Sequence, residues 1–117
     1  MPYQRLLDRL MSSVEGALGA VLLDSEGEVV VEAGARDFRH RLIGAYQGIA
    51  LATVQRTLAR YAAGGIRFVL CRYAWGSVIL RPLRDGYYLI LSLAPEVPIG
   101  PGLHESARTQ VAMDEEL

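Results

Sequence analysis

The sequence contains no lysine: all twelve of its basic residues are arginine. Genome base composition accounts for that most simply, and it is not a thermophile signature, which favours Lys and Glu. Cysteine is nearly absent too. The single Cys71 excludes an internal disulfide framework and a cysteine-rich metal site. The two histidines, His40 and His104, lack the spaced His, Cys or acidic neighbours of a metal site, and both read as solvated side chains. No apolar run approaches the roughly 18–20 residues of a membrane span. A formal net charge of −1 leaves no global basic excess for nucleic acid. Between Met1 and Leu10 the charges of Arg5, Asp8 and Arg9 are interleaved with leucines, unlike the order of an export signal. The expectation is a reduced, cytoplasmic setting, without nucleic acid and without membrane insertion.

What is present is globular. Of 117 residues, 51% are hydrophobic and 21% charged, which fits one domain spanning 1–117. Leu6, Leu7, Leu10, Met11 and Val14 recur at three- and four-residue steps, predicting an amphipathic helix over 2–15. Ala20–Leu23, the turn residues Asp24-Ser25-Glu26-Gly27 and Val29–Val31 predict a β-hairpin. A second helix is expected from Phe38 to Ala62, stopped by Gly64-Gly65. Ile66–Tyr73, Ser77–Leu83 and Tyr87–Leu93, separated by Trp75-Gly76 and Arg84-Asp85-Gly86, read as an antiparallel meander. Leu103, Ala107 and Val111 mark a short last helix, with Asp114–Leu117 fraying. The order α-β-β-α-β-β-β-α describes an α/β sandwich. Its five antiparallel strands are apolar on both faces, so helices must cover both.

The 38–62 segment is too apolar for one buried face. Phe38, Leu42, Ala45 and Ile49 form one stripe, and Ile43, Ala50, Val54 and Leu58 form another. Beside them Gly44, Gly48 and Ala52 lie four apart, a row that admits a close second backbone. That backbone is either the chain's own sheet or the same helix of a second copy. The third strand offers a matching surface: Ile66, Phe68 and Leu70 point to one side, and Val69, Cys71 and Tyr73 to the other. As a sheet edge it carries little charge to block pairing. A homodimer through Gly44, Gly48, Ala52, Phe68, Leu70 and Cys71 would bury both elements.

No catalytic, cofactor or metal site is expected. Ser25, Ser77 and Ser92 lie in no Gly-x-Ser-x-Gly elbow. Gly64-Gly65 leads into a strand rather than following one, so it is no phosphate loop. Asp24 and Asp85 precede turn glycines, which local turn chemistry explains, and Cys71 reads as a packed thiol. Trp75, at a hairpin tip, is either a contact residue or a tucked-in turn aromatic.

Two segments resemble the Roadblock family of dynein light chains and their relatives. Gly16-Ala17-Leu18-Gly19-Ala20-Val21-Leu22-Leu23-Asp24-Ser25-Glu26-Gly27 is similar to its opening signature of a Gly-Ala step, an apolar strand and Asp-x-x-Gly. Val78-Ile79-Leu80-Arg81-Pro82-Leu83-Arg84-Asp85-Gly86-Tyr87-Tyr88-Leu89 resembles its later strand-turn-strand signature. The resemblance implies strand order 2-1-5-4-3, with the second helix on one sheet face and the first and last on the other. It also implies a homodimer through the third strand and second helix, and a non-catalytic adaptor for a small Ras-like GTPase.

The charge distribution suggests where such a partner binds. Residues 1–35 carry a net of −4, residues 36–85 a net of +7 and residues 86–117 a net of −4. On the implied fold one face is basic and the other acidic. Arg39, Arg41, Arg56 and Arg60, with Gln55 as a polar neighbour, are the expected contacts for an acidic partner. A ligand-binding sensor module and a purely structural scaffold are the competing functions.

Overall fold

The computed structural model describes residues 2–34, 67–74 and 76–117. Helix α1 (Pro2–Ser13) leads into strands β1 (Ala17–Leu23) and β2 (Val29–Gly34). Strands β3 (Val69–Tyr73), β4 (Gly76–Pro82) and β5 (Tyr88–Leu93) follow, and helix α2 (Gly100–Glu116) ends the fold. The strands form one five-stranded sheet in the order β2-β1-β5-β4-β3. Every neighbouring pair is antiparallel. This is the α/β architecture expected from the sequence pattern and the strand order that the family resemblance implied. The helix expected over Phe38–Ala62 lies outside the described residues, as does Trp75.

Both described helices pack on the same face of the sheet. Leu7, Leu10 and Val14 of the α1 region and Met113 of α2 bury themselves against Leu22, Ile79, Leu89, Leu91 and Leu93. The opposite face has its own buried cluster of Val21, Leu23, Val78, Leu80 and Ile90. Strand alternation therefore divides the apolar residues into two cores, as a sheet apolar on both faces requires. No helix among the described residues is long and apolar enough to cross a membrane.

The turns follow local chemistry. Asp24 Oδ1 accepts the backbone N–H groups of Glu26 at 2.9 Å and Glu28 at 3.0 Å, an Asx turn that closes the β1–β2 hairpin. At the β4–β5 connection Asp85 adopts a left-handed backbone with φ 59°. Gly76 opens β4 with φ 153°, and a Cβ built there would collide with the carbonyl oxygen of Leu93. Only glycine meets both demands.

The last helix differs from its sequence reading. It extends through Asp114–Glu116, the segment expected to fray. Asp114 Oδ1 accepts the Arg84 N–H at 2.9 Å, and the Tyr3 hydroxyl donates to the Glu116 carbonyl at 2.9 Å. Its fully buried residues are Gly102, Ser106, Thr109 and Met113; of the Leu103, Ala107, Val111 stripe, Leu103 packs against the core while Val111 is 60% exposed. Two contacts select that rotation. A Cβ at Gly102 would stand 2.8 Å from a methyl of Leu93, so glycine brings the helix close to the sheet. Ser106 receives a hydrogen bond from the sheet.

Candidate functional site

β3 ends the sheet at one side and β2 at the other. The two edges are not equivalent. β3 pairs with β4 in an unbroken register from Val69↔Leu80 to Tyr73↔Gly76, around a two-residue connection. β2 pairs with β1 through an irregularity between Leu22 and Leu23. On β2 the Gln4 side chain of α1 donates from Nε2 to the Glu32 carbonyl at 3.0 Å. A side chain thus occupies part of the β2 edge. β3 holds neither proline nor lysine, and its one charged residue is Arg72. A regular edge of this composition is a template for pairing with another chain.

Of the residues expected at a dimer interface, Phe68, Leu70 and Cys71 belong to this edge region. Leu70 and Cys71 are half-buried, and Phe68 is 42% exposed. Leu70 packs with the helix-side core and Val69 with the opposite core, which matches the expected alternation. Gly44, Gly48, Ala52, Arg39, Arg41, Gln55, Arg56 and Arg60 lie outside the described residues.

The sequence assigned Arg81 no role beyond its place in the Val78–Leu89 segment and one charge of the basic middle segment. It is 6% exposed and points from β4 toward α2. Its Nε donates to Ser106 Oγ at 2.8 Å, Nη2 to the Leu103 carbonyl at 2.9 Å and Nη1 to Gln110 Oε1 at 3.3 Å. The Phe68 ring covers the guanidinium, with its centroid 4.9 Å from the Arg81 Cζ. None of these partners is a carboxylate, and burial lowers the guanidinium's pKa. The arrangement clamps α2 to β4 with one rigid, planar donor fork. Alternation offers the one signal in the sequence: Arg81 falls two after Ile79, on the helix-facing side of β4.

Helices α1 and α2 carry Asp8, Glu105, Asp114, Glu115 and Glu116 beside their arginines, the acidic balance that the segment charges predicted for this layer. Exposed Arg5, Arg9 and Arg108 lie on α1 and α2. The acids Asp24, Glu26 and Glu28 sit at the β1–β2 turn. Among the described residues no three His, Cys, Asp or Glu side chains are placed to hold a metal ion.

No family model matches the chain, and no curated protein matches it in sequence. Solved structures do match it. The Roadblock/LC7 domain from Streptomyces avermitilis superposes with a TM-score of 0.80 at 19% identity, covering 97% of this chain and 95% of that one. Myxococcus xanthus MglB gives 0.86 at 12% identity over 97% and 93% of the two chains. MglC from the same organism gives 0.69 at 21% identity over the full length of both. The chain has the Roadblock/LC7 fold.

Proposed function

We propose that the chain is a Roadblock-family homodimer that acts in the cytoplasm as a non-catalytic adaptor and regulates a small Ras-like GTPase. The observation that carries this reading is the Roadblock/LC7 fold, which the chain shares with MglB over nearly its whole length. The uneven sheet edges support the dimer: the regular β3 edge is the one suited to pairing, and β2 is partly occupied by Gln4. Gly44, Gly48 and Ala52 provide the second half of the interface in this reading. Arg39, Arg41, Arg56 and Arg60, beside Gln55, provide the surface for an acidic GTPase.

The test is a pull-down of Ras-like GTPases, loaded with GTP or GDP, on the immobilised protein. It is repeated with the exposed members of the four arginines reversed to glutamate. Retention of one GTPase, lost on charge reversal and weakened by salt, is the expected result. No retention in either nucleotide state rejects the GTPase reading. Retention unaffected by charge reversal rejects this site.

A further inference from the structure

On the helix-bearing face of the sheet, Val31, Leu22, Leu89, Arg81 and Phe68 stand in one row across the strands. Leu22 pairs with Val31 and with Leu89, and Leu89 pairs with Arg81. Phe68 falls opposite Arg81 by one further step of the β3–β4 register. Val31, Leu22 and Leu89 belong to the core beneath the helices. Arg81 is 6% exposed, whereas Phe68, at the β3 end of the row, is 42% exposed. The row is therefore closed at β2 and open at β3. Its next position belongs to whatever strand pairs with the β3 edge.

Helix α2 is tied to the same end of β4. Arg81 donates to Ser106 and to the Leu103 carbonyl, Gln110 Nε2 donates to the Pro82 carbonyl at 2.7 Å, and Asp114 Oδ1 accepts the Arg84 N–H. These bonds hang α2 on positions 81–84, while Ile99 at its start provides no side-chain cap. Of the anchors, Arg81 is the one that the ring of Phe68 covers. Its acceptors are a hydroxyl, a carbonyl and an amide, so each bond strengthens as the surrounding water is removed. The cation–π contact strengthens in the same way. Because Arg81 is already out of water, the cost of desolvating it falls on folding. A strand laid along β3 has only the ring left to enclose.

We propose that Phe68 and Arg81 couple the β3 edge to α2: a second copy's strand paired along β3 encloses the ring and tightens the grip of the guanidinium on the helix. Arg81 is then a positioning residue, and the proposal rests on the homodimer reading. Coupling is reciprocal, so loosening α2 also costs affinity at the edge.

The test measures hydrogen exchange by mass spectrometry over a dilution series, with light scattering on the same samples. In the dimer, α2 amides over 103–113 should exchange at least about fivefold more slowly than in the monomer, beyond any slowing in α1. Phe68→Leu should still dimerise at high concentration but lose that extra slowing. Ser106→Ala lies beneath α2, away from the edge, and should weaken dimerisation at least about threefold. Circular dichroism checks folding; should Ser106→Ala unfold, Gln110→Ala takes its place. A wild type that stays monomeric overturns the dimer reading and the proposal together. A dimeric wild type with equal slowing in α1 and α2, Phe68→Leu that keeps the extra slowing, or an unchanged dimer constant in the α2 variant overturns the proposal and leaves the dimer standing.

Discussion

Arg81 and Phe68 face each other at 4.9 Å, a buried guanidinium against the ring of a partly exposed phenylalanine beside β3. The same guanidinium holds the Leu103 carbonyl and Ser106 on α2. One side chain thus connects the edge region of the sheet to the helix layer. A cation–π contact with a partly desolvated arginine is worth about 0.5–2 kcal/mol, less than the hydrogen bonds beneath it. The ring is therefore the exchangeable part of the arrangement and the polar fork the structural part.

Replacing Arg81 by leucine should lower unfolding stability by about 2–4 kcal/mol in urea titrations, because buried acceptors lose their donors. Arg81→Lys should recover less than half of that, since an ammonium cannot span the same acceptors. A loss below about 0.5 kcal/mol would show that the fork carries no net stability. The pH dependence is also defined. Burial lowers the folded-state pKa, so the unfolded chain binds more protons between the folded and unfolded values, and stability rises with pH across that window. The window lies at strongly alkaline pH. Wild type and Arg81→Leu should therefore give parallel stability curves between about pH 5 and pH 9.

Gly76→Ala should cost about 2 kcal/mol or more in thermal or chemical denaturation. The new Cβ meets a backbone carbonyl, which cannot rotate away, and the φ of 153° is unsuited to alanine. Wild-type stability in this variant would mean that the β3–β4 connection shifts freely against the end of β5.

Asp85→Gly should leave the melting temperature unchanged or raise it, by up to about 1 kcal/mol of stability. Glycine removes the strain of φ 59° while adding entropy to the unfolded chain. Asp85→Val should lose about 1–2 kcal/mol, because a β-branched side chain disfavours that backbone. If the glycine variant is the less stable of the two, the aspartate is retained for a contact of its side chain.

Multi-angle light scattering at micromolar concentration should return twice the chain mass of 12.8 kDa. Gly48→Leu should weaken that dimer with an unchanged far-ultraviolet spectrum, since overpacking a close helix contact costs about 1–3 kcal/mol. A monomeric wild type ends the dimer reading. A variant that stays fully dimeric removes Gly48 from the interface, and one that fails to fold places the small-residue row against its own sheet.

Much of this fold was legible because its signals are periodic and local. Leu7, Leu10 and Val14 mark α1 by helical spacing, and Leu89 and Leu91 alternate with Ile90 along β5. Asp24 and Gly27 announce their turn by chemistry confined to a few residues. The rotation of α2 was not legible. It depends on Gly102 meeting Leu93 and on Ser106 meeting Arg81, pairs that no spacing along the chain connects. The anchoring role of Arg81 was not legible for a related reason: its acceptors Leu103, Ser106 and Gln110 are far away in the sequence. The edge residues Phe68, Leu70 and Cys71 were placed by alternation alone.

The hydrogen bond from Gln4 to the Glu32 carbonyl bears on how large an assembly of this chain can grow. Two copies joined through their β3 edges would make one continuous ribbon of ten strands, by the five-strand count of each. Both ends of that ribbon are then β2, where Gln4 covers a carbonyl and the irregular register disturbs the next pairing. One backbone acceptor at each end of such a ribbon is then already engaged by a side chain. In a dimer of that kind the glutamine would count against the addition of a further strand at β2.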